Sequence, residues 1–202
     1  KIVSKILKVK ARQVFDSRGN PTVEAEVYTK NNSATDICPS GASTGTFEAF
    51  EKRDKKNKRY LGKSVFRAVN LVNSKISKKL KGQNVHNQER IDTLLINLDG
   101  TRQKTNLGAN AMLAVSMAVK KLSAKLKRLP LYNSFSFNNI FQLPYPLMNI
   151  INGGAHANNG LRIQEFMIRP DRAKSFSEAM RVSYLVIKSL SKLIKDKGLS
   201  TS

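Results

Sequence analysis

With 202 residues, 40% of them hydrophobic, the chain can form one large domain, or one domain and part of a second. No apolar run approaches the roughly 20 residues that span a bilayer, and the single cysteine, Cys38, excludes an internal disulfide framework and fits a reducing cytoplasm. The net charge of +22, from 36 basic and 14 acidic residues, is compatible with binding nucleic acid or another anionic partner.

Residues 5 to 38 predict a three-stranded β-meander. In the segment TVEAEVY, hydrophobic and polar residues alternate, so that Val23, Ala25 and Val27 share one face of a strand. Turn residues stand on both sides of this strand, and a short third strand, TDIC, ends at a proline. The pattern therefore predicts antiparallel strands joined by tight turns.

A glycine- and serine-rich loop, CPSGASTGTFEAFEKRD, follows at residues 38–54. Gly41 and Gly45 allow positive φ and close backbone approach, and successive backbone N–H groups of such a loop can face an anion. A Walker A loop needs a lysine directly after its second glycine, so that motif is rejected here. As a bare pattern, we favour a mobile polar loop over a binding site.

The basic residues are densest at 51–59, in the short stretch EKRDKKNKR, which also contains Glu51 and Asp54. Lysine heavily outnumbers arginine and asparagine is abundant, a mixture that also fits a base composition rich in AT codons. We therefore favour a solvated basic surface over a dedicated nucleic-acid interface, which remains as the alternative.

Three helices are predicted next. Apolar residues recur at three- and four-residue intervals from Val65 to Leu80, with Ser64 placed to cap this helix. A shorter helix is predicted at about 87–97. The third and strongest pattern runs from Asn106 to Leu126, and its stripe of small residues predicts close packing against neighbouring elements.

Two strands and a helix are predicted for the last part of the chain. FQLPYPLMNIINGG, residues 141–154, predicts a buried strand, and LRIQEFMIRP, residues 161–170, predicts a second. A helix is expected to begin at Ser175, where SFSE forms a capping box in which Glu178 reaches back, and to end at Gly198. Two strands and one helix cannot shield both faces of a sheet.

The segment NGGAHANNGLRIQEF carries candidate chemistry in His156, Gln164 and Glu165. In a regular strand, adjacent residues point to opposite faces, so one of Gln164 and Glu165 is expected to face an interior. A carboxylate beside a buried apolar strand needs a cation, a ligand or a hydrogen-bond partner. From spacing alone, an active site and a purely structural role remain equally open.

Six motifs occur in order across essentially the whole chain: ARQVFDSRGNPTVEAEV, PSGASTG, LDGT, LGANAMLAVSMA, PLMNIINGGAHA and QEFMIRP. They resemble the successive motifs of enolase, the glycolytic phosphopyruvate hydratase. This resemblance implies a Mg²⁺-dependent carbon–oxygen lyase that interconverts 2-phosphoglycerate and phosphoenolpyruvate, with two Mg²⁺ ions in each complete active site. It also implies a homodimer in the cytoplasm.

The resemblance assigns roles to residues in the first part of the chain. SGASTG resembles a mobile loop that closes over substrate, in which Ser43 matches a serine that binds the second Mg²⁺ through its hydroxyl and carbonyl oxygens. Gly41 and Ala42 match substrate-binding backbone beside it. Arg12 and Glu24 match residues that form ion pairs across the dimer interface.

Further along, His156 matches a catalytic histidine close to the substrate phosphate, and Gln164 and Glu165 match a pair that contacts substrate and assists the acid side of the reaction. We thus expect His156 and Glu165 as catalytic residues, and all three as substrate-binding residues. A hydroxyl ligand brought down on a closing loop would exclude water and complete the site in one motion.

The implied fold is an α+β N-terminal capping domain at 1–130, a three-stranded meander plus helices, followed at 140–202 by the first elements of an incomplete α/β (TIM-like) barrel. A closed barrel takes about 250 residues. The family's lysine base, its GDEGG glutamate and the three carboxylates of its tight Mg²⁺ site are not in this sequence, so Ser43 is the one expected metal ligand.

We therefore expect the N-terminal part of an enolase that is inactive by itself. The alternative is a non-catalytic basic fragment that binds RNA or another anionic partner.

Overall fold

The computed structural model describes residues 3–41, 43–56, 58–135 and 140–199. The chain divides into two compact units, residues 1–139 (unit 1) and residues 140–202 (unit 2). Each unit is described by itself.

Unit 1 begins with a three-stranded antiparallel sheet of β1 (Lys8–Phe15), β2 (Pro21–Tyr28) and β3 (Ser33–Cys38). The strands lie in sequence order, so the predicted meander is confirmed. β2 lies in the middle and has one face against the core, as its alternating pattern predicted. The inward side chains of β2 are Val23, Ala25 and Val27, all fully buried.

A long helical region follows the sheet. It consists of α1 (Phe66–Leu71), a π-helical segment (Val72–Ile76) and α2 (Ser77–Leu80). The apolar spacing predicted this helix, but it gave no sign of the wider π-helical turn. The core side chains of this region are Ala68, Val69, Val72, Ile76 and Leu80.

The predicted cap of α1 by Ser64 is wrong. Asp54 caps the helix: its carboxylate accepts hydrogen bonds from the backbone N–H groups of Phe66 at 2.8 Å and Arg67 at 3.3 Å. Ser64 is fully buried, and its hydroxyl donates to the same carboxylate at 2.8 Å. Because an ionised carboxylate is the stronger acceptor near a helix N-terminus, the serine supports the cap instead of forming it.

Side chains of the helical region satisfy the outer edge of β1. The Asn73 side chain accepts a hydrogen bond from the N–H of Ala11 at 2.7 Å and donates one to its carbonyl at 3.0 Å. The Ser77 hydroxyl accepts from the N–H of Val9 at 3.1 Å. Asn73 lies in the π-helical segment, so its amide occupies the place that a further strand would take.

The next two helices are α3 (Gln88–Asp99) and α4 (Ala109–Leu126), and α4 packs on β2 and β3. α4 begins later than the predicted Asn106, because Gly108 has a φ of +94° that interrupts the helical backbone. The remaining core side chains come mainly from these two helices. They are Ile6, Val9, Val65, Val85, Ile91, Leu94, Leu95, Leu107, Ala111, Met112, Ala114, Val115, Ala118, Val119 and Leu122.

Asp99 organises the turn between α3 and α4. Its buried carboxylate accepts hydrogen bonds from the N–H groups of Thr101 at 3.0 Å and Leu107 at 2.7 Å, and from the Thr101 hydroxyl. Burial raises the pKa of Asp99, but the bonds from Leu107 and Thr101 outweigh it, so the pKa lies below its ordinary value. The LDGT motif is thus a structural turn.

Unit 2 contains β4 (Met148–Asn152) and β5 (Glu165–Ile168), which pair antiparallel with an irregularity between Asn149 and Ile151. Both strands are shorter than predicted. Before β4, Pro144 lacks the N–H that a strand would need, as does Pro146. The residues of β4 are half-buried or exposed rather than buried, since the two strands and one helix of unit 2 provide little cover.

The helix of unit 2 is α5 (Phe176–Asp196). The Ser175 hydroxyl accepts from the N–H of Glu178 at 3.1 Å, so this half of the predicted capping box is confirmed. The other half is wrong, because the Glu178 carboxylate pairs with the Arg181 guanidinium at 2.7 and 2.9 Å. Gly198, with φ +72°, ends the helix as predicted. Among the described residues, no helix combines the length and apolar character required to cross a membrane.

Candidate functional site

The glycine- and serine-rich loop borders a cavity of about 780 Å³ in unit 1. Small and polar residues of the loop form one wall of the cavity. Basic side chains from the β1–β2 turn and from residues 51–63 form a second wall. The lining residues that matter for the site are Arg18, Ser40, Gly41, Ser43, Glu51 and Arg53. The cavity thus has a polar lining of cations, carboxylates and hydroxyl groups.

Ser43 is exposed in this loop, and its carbonyl oxygen lies close to Gly41. A Cβ added at Gly41 would come within 3.2 Å of that oxygen, so glycine gives the serine carbonyl its room. The N–H of Gly45 donates to the Glu48 carboxylate at 2.8 Å, a local hydrogen bond within the loop. Ala42, predicted to contact substrate, lies outside the described residues.

Ser40, at the start of the loop, is held by three charged side chains that the sequence analysis missed. The Ser40 hydroxyl donates to Glu51 and accepts from Arg53 at 2.8 Å, and its carbonyl accepts from Arg18 at 2.6 Å. The stretch EKRDKKNKR predicted a solvated surface, but Asp54 is buried and the Arg53 side chain is only 16% exposed. The spacing held a signal, since residues two positions apart, such as Glu51 and Arg53, share one side wherever a backbone is extended.

In unit 2 the structure brings His156, Gln164 and Glu165 into one cluster. The imidazole Nδ1 lies 2.9 Å from Oε1 of Glu165, and its Nε2 lies 2.6 Å from Nε2 of Gln164. A carboxylate only accepts hydrogen bonds, so Nδ1 carries a proton and, in the neutral ring, Nε2 accepts from the Gln164 amide. The three predicted residues therefore form a single hydrogen-bonded group.

The expectation that Gln164 and Glu165 point to opposite faces is wrong. Gln164 lies in a bend just before β5 begins at Glu165, so the alternation of a regular strand does not apply to the pair. Both side chains reach the same imidazole as a result. His156 itself lies in a short 3₁₀ turn, Gly154–His156, which brings its ring within reach of both side chains.

The glycine pair before His156 allows this close approach. The N–H of Gly153 donates to the carbonyl of Gln164, and that of Gly154 to the carbonyl of Leu161, both at 2.8 Å. A Cβ added at Gly153 would lie 2.3 Å from the Ile163 carbonyl oxygen, and Gly154 has φ +55°. Only glycine fits at 153, so this residue sets the distance between the two chain segments of the cluster.

Arg12 and Glu24 pair with each other inside the chain. They stand opposite in the register of β1 and β2, and their side chains form a salt bridge on the outer face of the sheet. The same guanidinium lies 3.7 Å from Glu26. Their predicted role between protomers stays a prediction.

Candidate metal ligands are few among the described residues. In the part of the chain that the structure describes, no three side chains of His, Cys, Asp or Glu come together as a metal site. Ser43 is exposed, and its hydroxyl and carbonyl oxygens are ligands of the kind that Mg²⁺ prefers. Ser43 therefore fits one contribution to a magnesium site, and Gly41 and Ser43 lie in unit 1 whereas the histidine cluster lies in unit 2.

Comparison with known proteins gives two family matches. Residues 6–135 match the family model described as enolase, N-terminal domain, and residues 140–202 match enolase, C-terminal TIM barrel domain. The first match alone covers more than half of the chain. No closed barrel is formed by the described residues, whose unit 2 has one strand pair and one long helix.

Curated relatives agree with these matches. An enolase of Pelagibacter ubique strain HTCC1062 is 77% identical over 200 residues, which are 99% of this chain and 48% of the relative. Enolases of Methanococcus maripaludis and Methanosarcina mazei are 54% and 51% identical over 193 residues, covering 95% and 96% of this chain and 45% of each relative.

The chain thus spans about half the length of the curated relatives that it matches. The resemblance seen in the motifs is confirmed, as is the predicted fold class of an α+β unit followed by the start of a TIM-like barrel domain. The chain belongs to the enolase family.

Proposed function

We propose that the complete protein containing this chain is a Mg²⁺-dependent phosphopyruvate hydratase that reversibly dehydrates 2-phosphoglycerate to phosphoenolpyruvate in glycolysis. The observation that carries the proposal is the His156–Gln164–Glu165 cluster, found in a chain that is 77% identical to a protein named enolase. The RNA-binding alternative draws no support from these comparisons.

Within this proposal, Ser43 offers its hydroxyl and carbonyl oxygens to one of two Mg²⁺ ions, and Gly41 and Ala42 present backbone to the substrate. Divalent cations supply the positive charge that offsets the negative charge created when a proton leaves the carbon beside a carboxylate. The loop closes as a lid, and the open backbone at Gly41 leaves the Ser43 carbonyl accessible.

His156, Gln164 and Glu165 act on the substrate as one hydrogen-bonded group. Glu165 holds the proton on Nδ1 and so fixes the orientation of the ring, while Gln164 contacts Nε2. Nε2 carries no proton in this arrangement, so it can donate toward the substrate phosphate only after the ring takes up a second proton while Nδ1–H stays on Glu165; the Gln164 amide is then released to contact substrate. Glu165 assists the acid side of the reaction, in which a hydroxyl leaves as water.

The proposal extends to the whole protein. Residues 1–130 form the capping domain and residues 140–202 begin the barrel domain, in a cytoplasmic homodimer to which Arg12 and Glu24 contribute. The chain by itself is proposed to lack dehydratase activity, because its described residues bring no three carboxylates together for the tight metal site, which is distinct from the one that Ser43 serves. Formation of phosphoenolpyruvate by the purified 202-residue chain with Mg²⁺ would contradict this part.

The test of the lid role uses Ser43→Ala in the full-length enzyme. Phosphoenolpyruvate formation is measured across a Mg²⁺ titration, and the variant is expected to need more Mg²⁺ for half-maximal activity and to turn over more slowly. Thr46→Ala, an exposed residue of the same loop region, is the matched control and is expected to titrate like wild type. An unchanged Mg²⁺ dependence of Ser43→Ala would refute the assignment.

A further inference from the structure

We propose that Arg53 is a positioning residue for the loop that carries Ser43, and that it acts through Ser40 at the point where the loop leaves β3. The inference rests on the proposed function, since the loop position matters for metal binding only if Ser43 is a ligand. It concerns a cluster of three side chains, Ser40, Glu51 and Arg53, here called the Ser40 anchor.

The Arg53 guanidinium joins four separate parts of unit 1. It donates to the carbonyl of Pro21 at 3.0 Å, to the carbonyl of Lys63, to the Ser40 hydroxyl at 2.8 Å and to the Glu51 carboxylate at 2.8 Å. Its side chain is only 16% exposed, so the charge is held away from water by a full set of acceptors. A planar, five-donor group suits such a junction, and a lysine could not reach all four oxygens.

Ser40 is held at both of its oxygen atoms. Its hydroxyl donates to Glu51 and accepts from Arg53, while its carbonyl accepts from Arg18 of the β1–β2 turn. The hydroxyl therefore donates one hydrogen bond and accepts another. The residue cannot rotate away without breaking charge-assisted hydrogen bonds, so the start of the loop is fixed.

The segment that presents Glu51 and Arg53 is itself held by the start of α4. The Asn110 side chain accepts from the N–H of Lys52 and donates to its carbonyl, both at 3.1 Å. A Cβ added at Gly108 would lie 2.5 Å from Cβ of Lys52, so the start of α4 packs directly on this segment. Glu51 and Arg53 stand on either side of Lys52 in this segment, and both bond to the Ser40 hydroxyl.

The Ser40 anchor thereby sets where Ser43 can be. The loop is tied to the rest of unit 1 at Ser40 on one side and at Phe50 on the other, where the backbone bonds to Gln103 and Ala109, and Ser43 lies between the two ties. A misplacement of about 1 Å in a positioned group can cost roughly 100-fold in rate. Releasing Ser40 should therefore spread the positions of the Ser43 oxygens and weaken the metal that they bind.

The experiment uses the full-length enzyme with Ser40→Ala, which removes the hydroxyl and leaves the backbone, and with Arg53→Lys, which keeps the charge but not the fork. Loop release is read by chymotrypsin cleavage after Phe47, whose side chain is 91% exposed. Both variants are expected to be cleaved several-fold faster and to need several-fold more Mg²⁺ for half-maximal activity. The control, Ser74→Ala, removes a helix-surface hydroxyl of unit 1 and is expected to match wild type.

Ser43→Ala measured beside them separates the two proposals. If Ser43→Ala shifts the Mg²⁺ titration while Ser40→Ala leaves both cleavage and titration unchanged, the anchor is overturned and the metal role stands. If Ser40→Ala speeds cleavage but neither serine variant shifts the titration, the metal role fails. A Ser40→Ala enzyme with lower activity and wild-type cleavage also contradicts the anchor, and this variant carries the test should Arg53→Lys not fold.

Discussion

Asp54 accepts a 2.8 Å hydrogen bond from the backbone N–H of Phe66, the first residue of α1, which lies 12 positions further along the chain. The same carboxylate accepts from the Ser64 hydroxyl and from the N–H of Arg67. One buried side chain thus accepts hydrogen bonds from the start of the helical region. Further along the same region, Asn73 and Ser77 bond to the backbone of β1. The cap connects the basic stretch after the loop to the core of unit 1.

Replacing Asp54 by alanine should therefore destabilise the protein. The loss of a cap and of a buried acceptor for Ser64 is expected to lower the free energy of unfolding by about 2 kcal/mol. Urea unfolding followed by circular dichroism measures it. Asp171→Ala is the control, since Asp171 is exposed and pairs with Arg169 on the surface, and little change is expected there. Equal stabilities of the two variants would contradict the capping role.

Asp99 should make stability depend on pH in the acid range. Its pKa in the folded chain lies below the ordinary value of 3.8, so its contribution is fully present above that pH and is lost as the pH falls through the folded pKa. We expect wild type to exceed Asp99→Asn in free energy of unfolding at neutral pH. The difference should shrink below pH 3.8, and a difference that stays constant through that range would argue against the assignment.

Gly153 should tolerate no side chain. Alanine at 153 would place its Cβ 2.3 Å from the Ile163 carbonyl oxygen, which must move and take the Gln164–Glu165 segment with it. Gly153→Ala is expected to reduce dehydratase activity of the full-length enzyme at least tenfold, a loss of roughly 1.4 kcal/mol in transition-state stabilisation. Gly160→Ala, which meets nothing within 4 Å, is the matched control and should retain activity. Similar activities in both variants would show that the close approach is unimportant.

Cys38 should react slowly with alkylating reagents. Burial, together with the nearby carboxylates of Glu51 and Asp36, raises the pKa of its thiol to about 11, so the thiol is almost fully protonated at neutral pH. Iodoacetamide labelling of the folded protein is expected to be slow and to speed up steadily as the pH is raised. The same protein unfolded in urea should label much faster at neutral pH. Rapid labelling of the folded form at pH 7 would exclude the raised pKa.

Local periodicity was enough to predict most elements of unit 1. The alternation in β2 and the apolar stripe of α4 appear directly in burial, because each depends only on neighbours in the same element. The cap by Asp54 and the anchoring of Ser40 by Arg53 were missed, since they join residues 12 and 13 positions apart across a loop. Such contacts depend on how the elements pack, and no periodic pattern encodes them.

The histidine cluster shows the same limit in unit 2. His156, Gln164 and Glu165 could be selected from their residue types and from the resemblance, but not their mutual arrangement. The start of β5 at Glu165 and the close approach of Gly153 decide that Gln164 and Glu165 share one imidazole. Strand limits are set by pairing with β4, and prolines before β4 shortened both strands relative to the hydrophobic runs.

The Asn73 amide has a consequence for how the protein behaves at high concentration. The exposed border of a sheet is a template on which other chains can add as new strands and grow into aggregates. At Ala11 both backbone groups that would bind an incoming chain are already occupied by Asn73, and at Val9 the N–H is occupied by Ser77. The π-helical turn places Asn73 beside β1, and the occupied backbone groups of β1 therefore hinder the addition of strands from other molecules.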